Sequence, residues 1–450
     1  MLKRVREGNV GTNFGNKSEF GVLLREASNN SIGKSFKDSP SIKGSMTDNS
    51  SVNKPLGRRF VFSLALAVFG TSMLDVLSSL FLVDLAKTYF GSSNLIYLAA
   101  VSQIVTISSI AAIVFGVLNG FLSVRFKHRT LLLFGALCIV IGSVGCLWAP
   151  NLLFLQIFYP FDGIGTIVVG AMAFTLIGES LPLERRAKSI GLVTSSGILS
   201  MAIGFAIAGY GANIGGYHSY LAWYVLPISL VALLSAYLFV PKNLQQNAIV
   251  KQSFSESLKQ VFLNRSAAAC LIGNMFLAAA GMWSFFAATF WRKYYSLPIE
   301  IVAWITIAVV LVYALGGFMG GRLVDRFGRK RFVVYNWFAR GVLIAAIVFM
   351  PNVYGALFMS FVATLIGGFA VTGGHSLIVE QAPKSRGTMM SINGVFGSIG
   401  ITIGTACGGL ALTQGFQLLG LTLGVFAVIS ALIILLLAKE PCCPAKSLVS

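Results

Sequence analysis

Two acidic residues stand inside long apolar stretches of the chain, where carboxyl groups are rare. Asp75 lies in a stretch that begins at Phe60, and Asp162 lies near the middle of the stretch 152–176. Ionisable side chains are costly at membrane depth and by default mark a functional site. A carboxyl group in a poorly solvated site favours its neutral form, which suits these residues to taking up and releasing protons. The alternative is that each carboxyl group only ties neighbouring helices together.

The chain shows none of the patterns that are typical of an enzyme active site. It contains three histidines and six cysteines, and they are not spaced as metal ligands or as a nucleophile with its base. Gly163 and Gly165 lie in an apolar stretch, where they do not form a phosphate-binding loop. We therefore expect no enzyme activity, no metal site and no cofactor.

The composition is that of a membrane protein. The chain is 56% hydrophobic and only 11% charged, with a mean hydropathy of +0.80. A membrane-spanning helix needs about 20 consecutive apolar residues, and twelve stretches meet this condition. The predicted spans are 60–83, 95–117, 131–148, 152–176, 189–211, 220–240, 268–291, 300–321, 332–350, 353–377, 389–411 and 415–438.

The basic residues orient these spans in the membrane. Of the 34 lysines and arginines, only Lys87, Arg292 and Lys293 fall in loops on the side opposite the N-terminus. Because loops rich in Lys and Arg stay in the cytoplasm, both termini are predicted to be cytoplasmic. The net charge of +19 is then explained as an insertion signal, and no nucleic-acid partner is expected.

The chain is also internally repeated, with an offset of 201 residues. The matched positions are Gly116, Gly120, Leu122, Arg125 and Phe126 with Gly317, Gly321, Leu323, Arg326 and Phe327; Pro150 and Asn151 with Pro351 and Asn352; and Glu179, Pro182 and Arg185 with Glu380, Pro383 and Arg386. Such a repeat predicts two six-helix halves related by an axis along the membrane normal, with the functional site between them.

The predicted organisation follows from the repeat and from the composition outside it. The segments are a disordered basic cytoplasmic tail over 1–58, an N-terminal six-helix bundle over 59–240, a cytoplasmic linker with a short amphipathic helix over 241–266, a C-terminal six-helix bundle over 267–439 and a cytoplasmic tail over 440–450.

The loop between predicted spans 8 and 9 carries a specific motif, G-x-L-x-D-R-x-G-R-K, over residues 321–330. Together with twelve spans in two halves, it resembles the major facilitator superfamily, and the resemblance covers 59–439. The copy between spans 2 and 3 departs from the family pattern, with Val124 in place of the Asp and Lys127 in place of the Gly. The resemblance implies an all-α membrane fold of two halves related by pseudo-twofold symmetry, acting as a secondary transporter, and we expect a monomer in the cell membrane.

The charges of the motif and of the second repeated element predict a cytoplasmic gate. Arg326 or Arg329 is expected to pair with Glu380, since arginine gives a carboxylate two donors. By the same logic Arg125 or Arg129 would pair with Glu179. The resemblance implies that such clusters form in the outward-facing state, whereas the alternative is that they only staple helix ends. The predicted gate residues are Gly321, Asp325, Arg326, Gly328, Arg329, Glu380, Arg386, Arg125, Arg129, Glu179 and Arg185.

The resemblance also implies that spans 1, 4, 7 and 10 surround a central cavity, so that Asp75 and Asp162 share it, while Arg340 on span 9 extends to the inner face. Asp84, at the outer end of span 1, is expected to be solvated. Apart from their ends, the four central spans lack Lys and Arg, which disfavours anionic substrates. The predicted cavity residues are Gln103, Tyr159, Phe161, Asn274, Trp283, Phe286 and Asn393.

Three functions fit these observations. The pattern of span 1, with Leu74-Asp75 and Leu82-Val83-Asp84-Leu85, is similar to that of proton-coupled drug and sugar-efflux antiporters, although their span 4 arginine is replaced here by Tyr159. The first function is therefore proton-coupled efflux of a small neutral or cationic organic solute. The second is proton symport or facilitated uptake of a small solute such as a sugar or metabolite. The third is a receptor or scaffold that does not transport.

Overall fold

The computed structural model of the chain describes residues 58–181, 183–241, 261–381 and 386–440. The predicted N-terminal tail as far as residue 57, the linker over 242–260 and the end of the C-terminal tail therefore lie outside the described residues. Within the described ranges the regular structure is helical, and no strand occurs.

The described helices follow the predicted spans closely. They are α1 (Arg58–Thr71), α2 (Met73–Leu80), α3 (Leu82–Phe90), α4 (Leu95–Arg125), α5 (His128–Leu147), α6 (Leu152–Phe158), α7 (Pro160–Ser180), α8 (Leu183–Tyr220), α9 (Leu226–Phe239) after a π-helical turn (Leu221–Val225), α10 (Arg265–Gly281), α11 (Trp283–Tyr294), α12 (Ile299–Phe327), α13 (Arg329–Ile347), α14 (Val353–Gln381), α15 (Arg386–Gln414) and α16 (Phe416–Leu437).

Eleven helical segments of the described ranges are long and apolar enough to cross a membrane. The predicted span that falls short is α13, which begins with Arg329, Lys330 and Arg331 and carries Arg340 in its middle. This helix nevertheless packs along α14 and α16, as a member of the same bundle. Every predicted span thus has a helical counterpart, with spans 5 and 6 separated by the non-helical Gly215 and Gly216 of α8. The all-α architecture of two six-helix halves is confirmed.

Three of the predicted spans, the first, the fourth and the seventh, are interrupted, and the seventh divides at Met282 into α10 and α11. The first span consists of α1, α2 and α3, with breaks at Ser72 and Phe81, and it continues to Phe90. Its end is set by Gly91, whose left-handed backbone (φ 68°) closes the helix with a hydrogen bond from its N–H to Lys87 O. The fourth span is interrupted between α6 and α7, because Pro160 cannot donate a helical hydrogen bond.

The two halves meet along two pairs of helices, α4 with α15 and α8 with α12. Thr106 Oγ1 on α4 donates to Thr405 Oγ1 on α15 over 2.9 Å, and Gly209 on α8 lies directly against Ala303 on α12. Each of these contacts lies in the outer or middle part of its helices. The extracellular side of the bundle is therefore held together across the halves.

Glycines allow α12 and α14 to pack with their backbones in contact. A Cβ atom added at Gly368 on α14 would lie 2.6 Å from Gly317 N and 2.8 Å from Gly316 C, both on α12. Backbone atoms cannot move aside as a flexible side chain can. Small residues at these positions are thus required for the close helix contact.

We expect Gly368→Ala to destabilise the C-terminal half by about 1–3 kcal/mol, the usual cost of overpacking a tight interface. The measurement is the melting temperature of the purified protein in detergent. Gly170→Ala is the matched control, because a Cβ at Gly170 meets nothing within 4 Å. Equal melting temperatures for the two variants would contradict the expected close contact.

Candidate functional site

The structure brings Asp75 and Asp162 together in the N-terminal half. Asp75 lies on α2 and Asp162 on α7, and the two carboxyl groups are close enough to interact electrostatically. Asp162 is only 2% exposed, and its Oδ1 has no hydrogen-bond partner among the described residues. The two residues therefore form a pair of acidic groups, of which Asp162 is buried.

Asp75 and Asp162 differ in their access to solvent. The side chain of Asp75 is exposed, although the adjoining Leu74 and Val76 are fully buried and its carboxyl group interacts with the buried side chains of Asp162 and Tyr159. An exposed acid enclosed within the bundle must face an internal space that solvent can enter. Asp75 is thus the accessible member of the pair, and Asp162 is the enclosed one.

The helix breaks explain why both acids are tolerated at this depth. Asp75 lies in the first turn of α2 and Asp162 in the first turn of α7. The first N–H groups of a helix have no helical partner and carry partial positive charge, which favours a nearby carboxylate. Each acid is therefore placed at the N-terminus of a helix that begins inside the membrane, as in binding sites built from discontinuous helices.

Two tyrosines complete the site. The hydroxyl of Tyr159 donates to Ser78 Oγ over 2.9 Å, and that of Tyr220 donates to Met73 O over 2.7 Å. Both phenols interact electrostatically with the two carboxyl groups. The Tyr220 hydroxyl satisfies a carbonyl group at the first residue of α2, next to the break in span 1, and so helps to hold α2 in place.

Tyr220 was missed by the sequence analysis, and no sequence signal could have identified it. An aromatic residue at the end of a span is most often part of the apolar core. Its role here depends on where α1 ends and α2 begins, which only the folded structure shows.

The role of the other predicted cavity residues stays a prediction, and the structure gives their immediate surroundings. Gln103 lies at the contact between α4 and α15, with its Nε2 donating to Ala99 O over 3.3 Å. Trp283 and Phe286 are 5% and 0% exposed, and they pack in an aromatic core. The remaining predicted residues are Phe161, which is half-buried beside Phe158; Asn274, which is half-buried; and Asn393, which is 4% exposed and whose Oδ1 lacks a hydrogen-bond partner within the described ranges.

The expectation that Arg340 extends to the inner face is wrong. Arg340 is 8% exposed, and its guanidinium lies against Gly367 on α14 and interacts electrostatically with Tyr313 on α12. A Cβ at Gly367 would lie 3.1 Å from Arg340 Cζ, so the missing side chain makes room for the guanidinium. A cation is thus buried between the helices of the C-terminal half.

On the cytoplasmic side of the C-terminal half, Arg329 forms an ion pair with Glu380. The start of α13 is also capped by Glu440, whose carboxylate accepts from the backbone N–H groups of Arg329 (2.9 Å) and Lys330 (3.1 Å). Glu440 is not among the predicted gate residues, although an acid at a helix N-terminus is a favourable arrangement. Arg326 is exposed and lies beside the ring of Phe327.

Several predicted gate residues cannot be placed in this cluster. The backbones of Gly321, Asp325 and Arg386 lie in α12 and α15, but their side chains are outside the described residues. Gly328 joins α12 to α13 with a left-handed φ of 81°, which favours glycine.

In the N-terminal half the expected pairing of Glu179 with Arg125 or Arg129 is wrong. Glu179 Oε2 lies 2.9 Å from His128 Nδ1, while Arg129 Nη2 donates to Tyr237 O over 2.7 Å. The reason is helix geometry: successive residues point about 100° apart, because a turn takes 3.6 residues. His128 therefore faces α7, Arg129 faces α9, and Arg125 and Arg185 are exposed.

On the extracellular side an ion pair links the two halves. Arg292 Nη1 and Nη2 on α11 lie 2.6 Å and 3.0 Å from the two carboxylate oxygens of Asp84 on α3. Asp84, which was expected to be solvated, is 31% exposed and in addition has this ion-pair partner. Each cytoplasmic pair, in contrast, lies within one half. Among the ion pairs of the described residues, the one on the outer side is thus the pair that joins the two halves.

Comparison with known proteins supports the same architecture. The family model of the Major Facilitator Superfamily matches residues 60–298 and 270–446. The chain is 21% identical over 316 residues to an MFS-type transporter, YceJ, of Bacillus subtilis (strain 168), covering 70% of this chain and 80% of YceJ. It is 27% identical over 122 residues to the multi-drug resistance efflux pump PmrA of Streptococcus pneumoniae serotype 4 (strain ATCC BAA-334 / TIGR4), covering 27% of this chain and 30% of PmrA.

Solved structures with the same fold include a D-xylose-proton symporter, with a TM-score of 0.70 at 16% identity, covering 85% of this chain and 99% of the symporter. A bacterial homologue of the human lysosomal transporter Spinster, in an inward-facing and occupied conformation, has a TM-score of 0.68 at 16% identity, covering 87% and 100%. These likenesses agree with the two six-helix halves and the motif at residues 321–330. The chain belongs to the Major Facilitator Superfamily.

Proposed function

We propose that this transporter moves a small neutral or cationic organic solute out of the cell in exchange for protons, by alternating access. The observation that carries the proposal is the acid pair, in which Asp75 faces an internal space and Asp162 is enclosed beside it. An ionisable pair at this depth is costly and is kept where it has a function.

The arrangement of the two carboxyl groups supports proton exchange. Two carboxyl groups that interact at close range favour sharing one proton, because like charges repel. Solvent reaches Asp75, so protons can enter and leave the pair through it. In alternating access, the accessible side of such a pair changes with the state of the transporter, which couples proton movement to solute movement.

The surroundings of the acid pair support the solute class. The polar groups around it are the hydroxyls of Tyr159, Ser78 and Tyr220 together with helix backbone, and no lysine or arginine is described among them. A net acidic, aromatic site favours cations and neutral molecules with hydrogen-bond donors. The similarity to an efflux pump over part of the chain supports export over uptake.

We expect Asp75→Asn and Asp162→Asn to reduce solute-driven proton flux in liposomes to background, because neither amide can exchange a proton. The measurement is the internal pH of liposomes containing the purified protein, after addition of cationic dyes or neutral amphipathic compounds that raise its melting temperature. Glu300→Gln is the matched control, since Glu300 lies at the start of α12, on the outer side.

The same assay separates the alternatives. Unchanged proton flux in both aspartate variants would contradict the role of the acid pair. Solute flux without proton flux in the native protein would indicate facilitated diffusion, and inward solute movement along with protons would indicate symport. No solute flux with any compound that binds would indicate a receptor or scaffold.

The gate role of the cytoplasmic cluster stays a prediction. The geometry of the cluster supports the alternative, a staple, in which the ion pairs only hold helix ends together. Arg329 and Glu380 both belong to the C-terminal half, so their ion pair does not have to break when the two halves move apart. A gate would require contacts of this cluster with the N-terminal half. Asp325 and Arg386, the predicted residues that could provide such contacts, have side chains outside the described residues.

If the ion pair of Arg329 and Glu380 acts only as a staple, Glu380→Gln should lower the free energy of unfolding by about 1 kcal/mol, as for other partly exposed ion pairs. The transport rate of the folded variant should stay near that of the native chain. Melting temperature and initial transport rate are measured on the same preparation. Lys127→Gln, a change at an exposed cytoplasmic position of the other half, serves as the control. Slow transport with an unchanged melting temperature would instead establish a gate.

A further inference from the structure

We propose that Asp84 and Arg292 form an extracellular lock, and that Arg292 is also a positioning residue for α2, the helix that carries Asp75. The lock would hold the outer side closed and would have to open for the transporter to face outward. This inference goes beyond the proposed function, and it holds whether or not the transporter is coupled to protons.

The first support is the geometry of the ion pair. Both guanidinium nitrogens of Arg292 donate to the carboxylate of Asp84, over 2.6 Å and 3.0 Å. Two parallel charge-assisted bonds of this kind fix the relative orientation of their partners as well as attracting them. Since Asp84 is in the N-terminal half and Arg292 is in the C-terminal half, the pair directly opposes separation of the halves.

The second support is a third hydrogen bond from the same guanidinium. Arg292 Nη1 also donates to Leu80 O over 3.0 Å. Leu80 is the last residue of α2, and the chain leaves helical geometry at Phe81. Arg292 therefore binds the C-terminal end of the short helix whose first turn holds Asp75. Tyr220 binds the other end, so α2 is held by side-chain hydrogen bonds at both breaks.

The third support is the environment of the pair. The side chain of Arg292 is 11% exposed and that of Asp84 is 31% exposed, and the neighbouring Phe81 and Trp291 are 0% and 1% exposed. Charges that are partly removed from water attract each other more strongly than charges on a solvated surface. The ion pair therefore differs from an ordinary surface salt bridge, which contributes little.

The fourth support is that the internal repeat does not generate the pair. An offset of 201 residues places Phe285 at the position equivalent to Asp84, and Gly91 at the position equivalent to Arg292. The equivalent positions, Phe285 in the C-terminal half and Gly91 in the N-terminal half, therefore cannot form a second ion pair between the halves. The lock is a single asymmetric feature of this chain rather than a consequence of its two similar halves.

A mechanical coupling follows from these contacts. Outward opening separates α3 from α11, which breaks the ion pair and removes Arg292 from Leu80 O in the same movement. The end of α2 then loses a hydrogen-bond donor, so the position of Asp75 on that helix is no longer fixed at this end. The outer lock and the accessible carboxyl group would thus respond together.

The test is amide hydrogen exchange, measured by mass spectrometry on the purified native chain and its variants in detergent without any solute. Arg292→Gln should accelerate exchange of the segments 73–90 and 291–298 by at least about tenfold, because removing one partner of a desolvated charge pair has large effects. Asp84→Asn should have a smaller effect on the segment 73–80, since the bond from Arg292 to Leu80 O can persist.

The reversed pair, Asp84→Arg with Arg292→Asp, should restore slow exchange at the segment 291–298 but not at the end of α2, where no donor replaces Arg292. Lys293→Gln is the matched control. It removes the same charge from the next residue, whose side chain is exposed. An Arg292→Gln variant that exchanges as slowly as Lys293→Gln would overturn the proposal.

If Arg292→Gln is not recovered in folded form, Arg292→Lys answers the same question, because lysine keeps the charge but lacks the rigid two-donor fork. The exchange rate of Arg292→Lys should lie between that of the native chain and that of the double variant that carries both Asp84→Asn and Arg292→Gln. An Arg292→Lys variant that exchanges at the native rate would overturn the lock. Because exchange is measured without solute or a proton gradient, its outcome is independent of the liposome experiments on Asp75 and Asp162.

Discussion

The structure depends on one constraint: a polar group at membrane depth must be satisfied by the protein itself, because hydrocarbon provides no hydrogen bonds. The chain meets this constraint by interrupting its helices. Breaks at Ser72 and before Pro160 create two helix N-termini inside the bundle, and an aspartate lies in the first turn of each.

The same constraint explains how the breaks themselves are stabilised. Side chains from elsewhere in the bundle bind backbone carbonyls at the two ends of α2, the short helix between the interruptions of span 1. Tyr220 donates to Met73 O, and Arg292 donates to Leu80 O. The donor at one break comes from the same half and the donor at the other comes from the opposite half. The position of α2 is therefore sensitive to the contact between the halves, whereas most helices of the bundle are held within one half.

The two halves share a fold but differ in their charges. The N-terminal half holds the acid pair, and the C-terminal half buries Arg340 beside Gly367 and Tyr313. With an offset of 201 residues, the equivalent of Arg340 is Ile139, which is 3% exposed. An apolar side chain thus fills the corresponding place in the other half. The repeat accounts for the fold that the halves share, and the residues that differ between equivalent positions account for their different polar and charged groups.

The number of spans, their orientation and the repeat could be read from the sequence alone. These properties depend on local apolar length and on the distribution of Lys and Arg, and neither requires knowledge of how helices pack. The positions of Asp75 and Asp162 as a pair followed from the family resemblance. Tertiary structure decided which partners meet, because this depends on helix rotation and on where helices break. In the folded structure Glu179 pairs with His128 instead of Arg129, and Asp84 pairs with Arg292, which is 208 positions away in the chain.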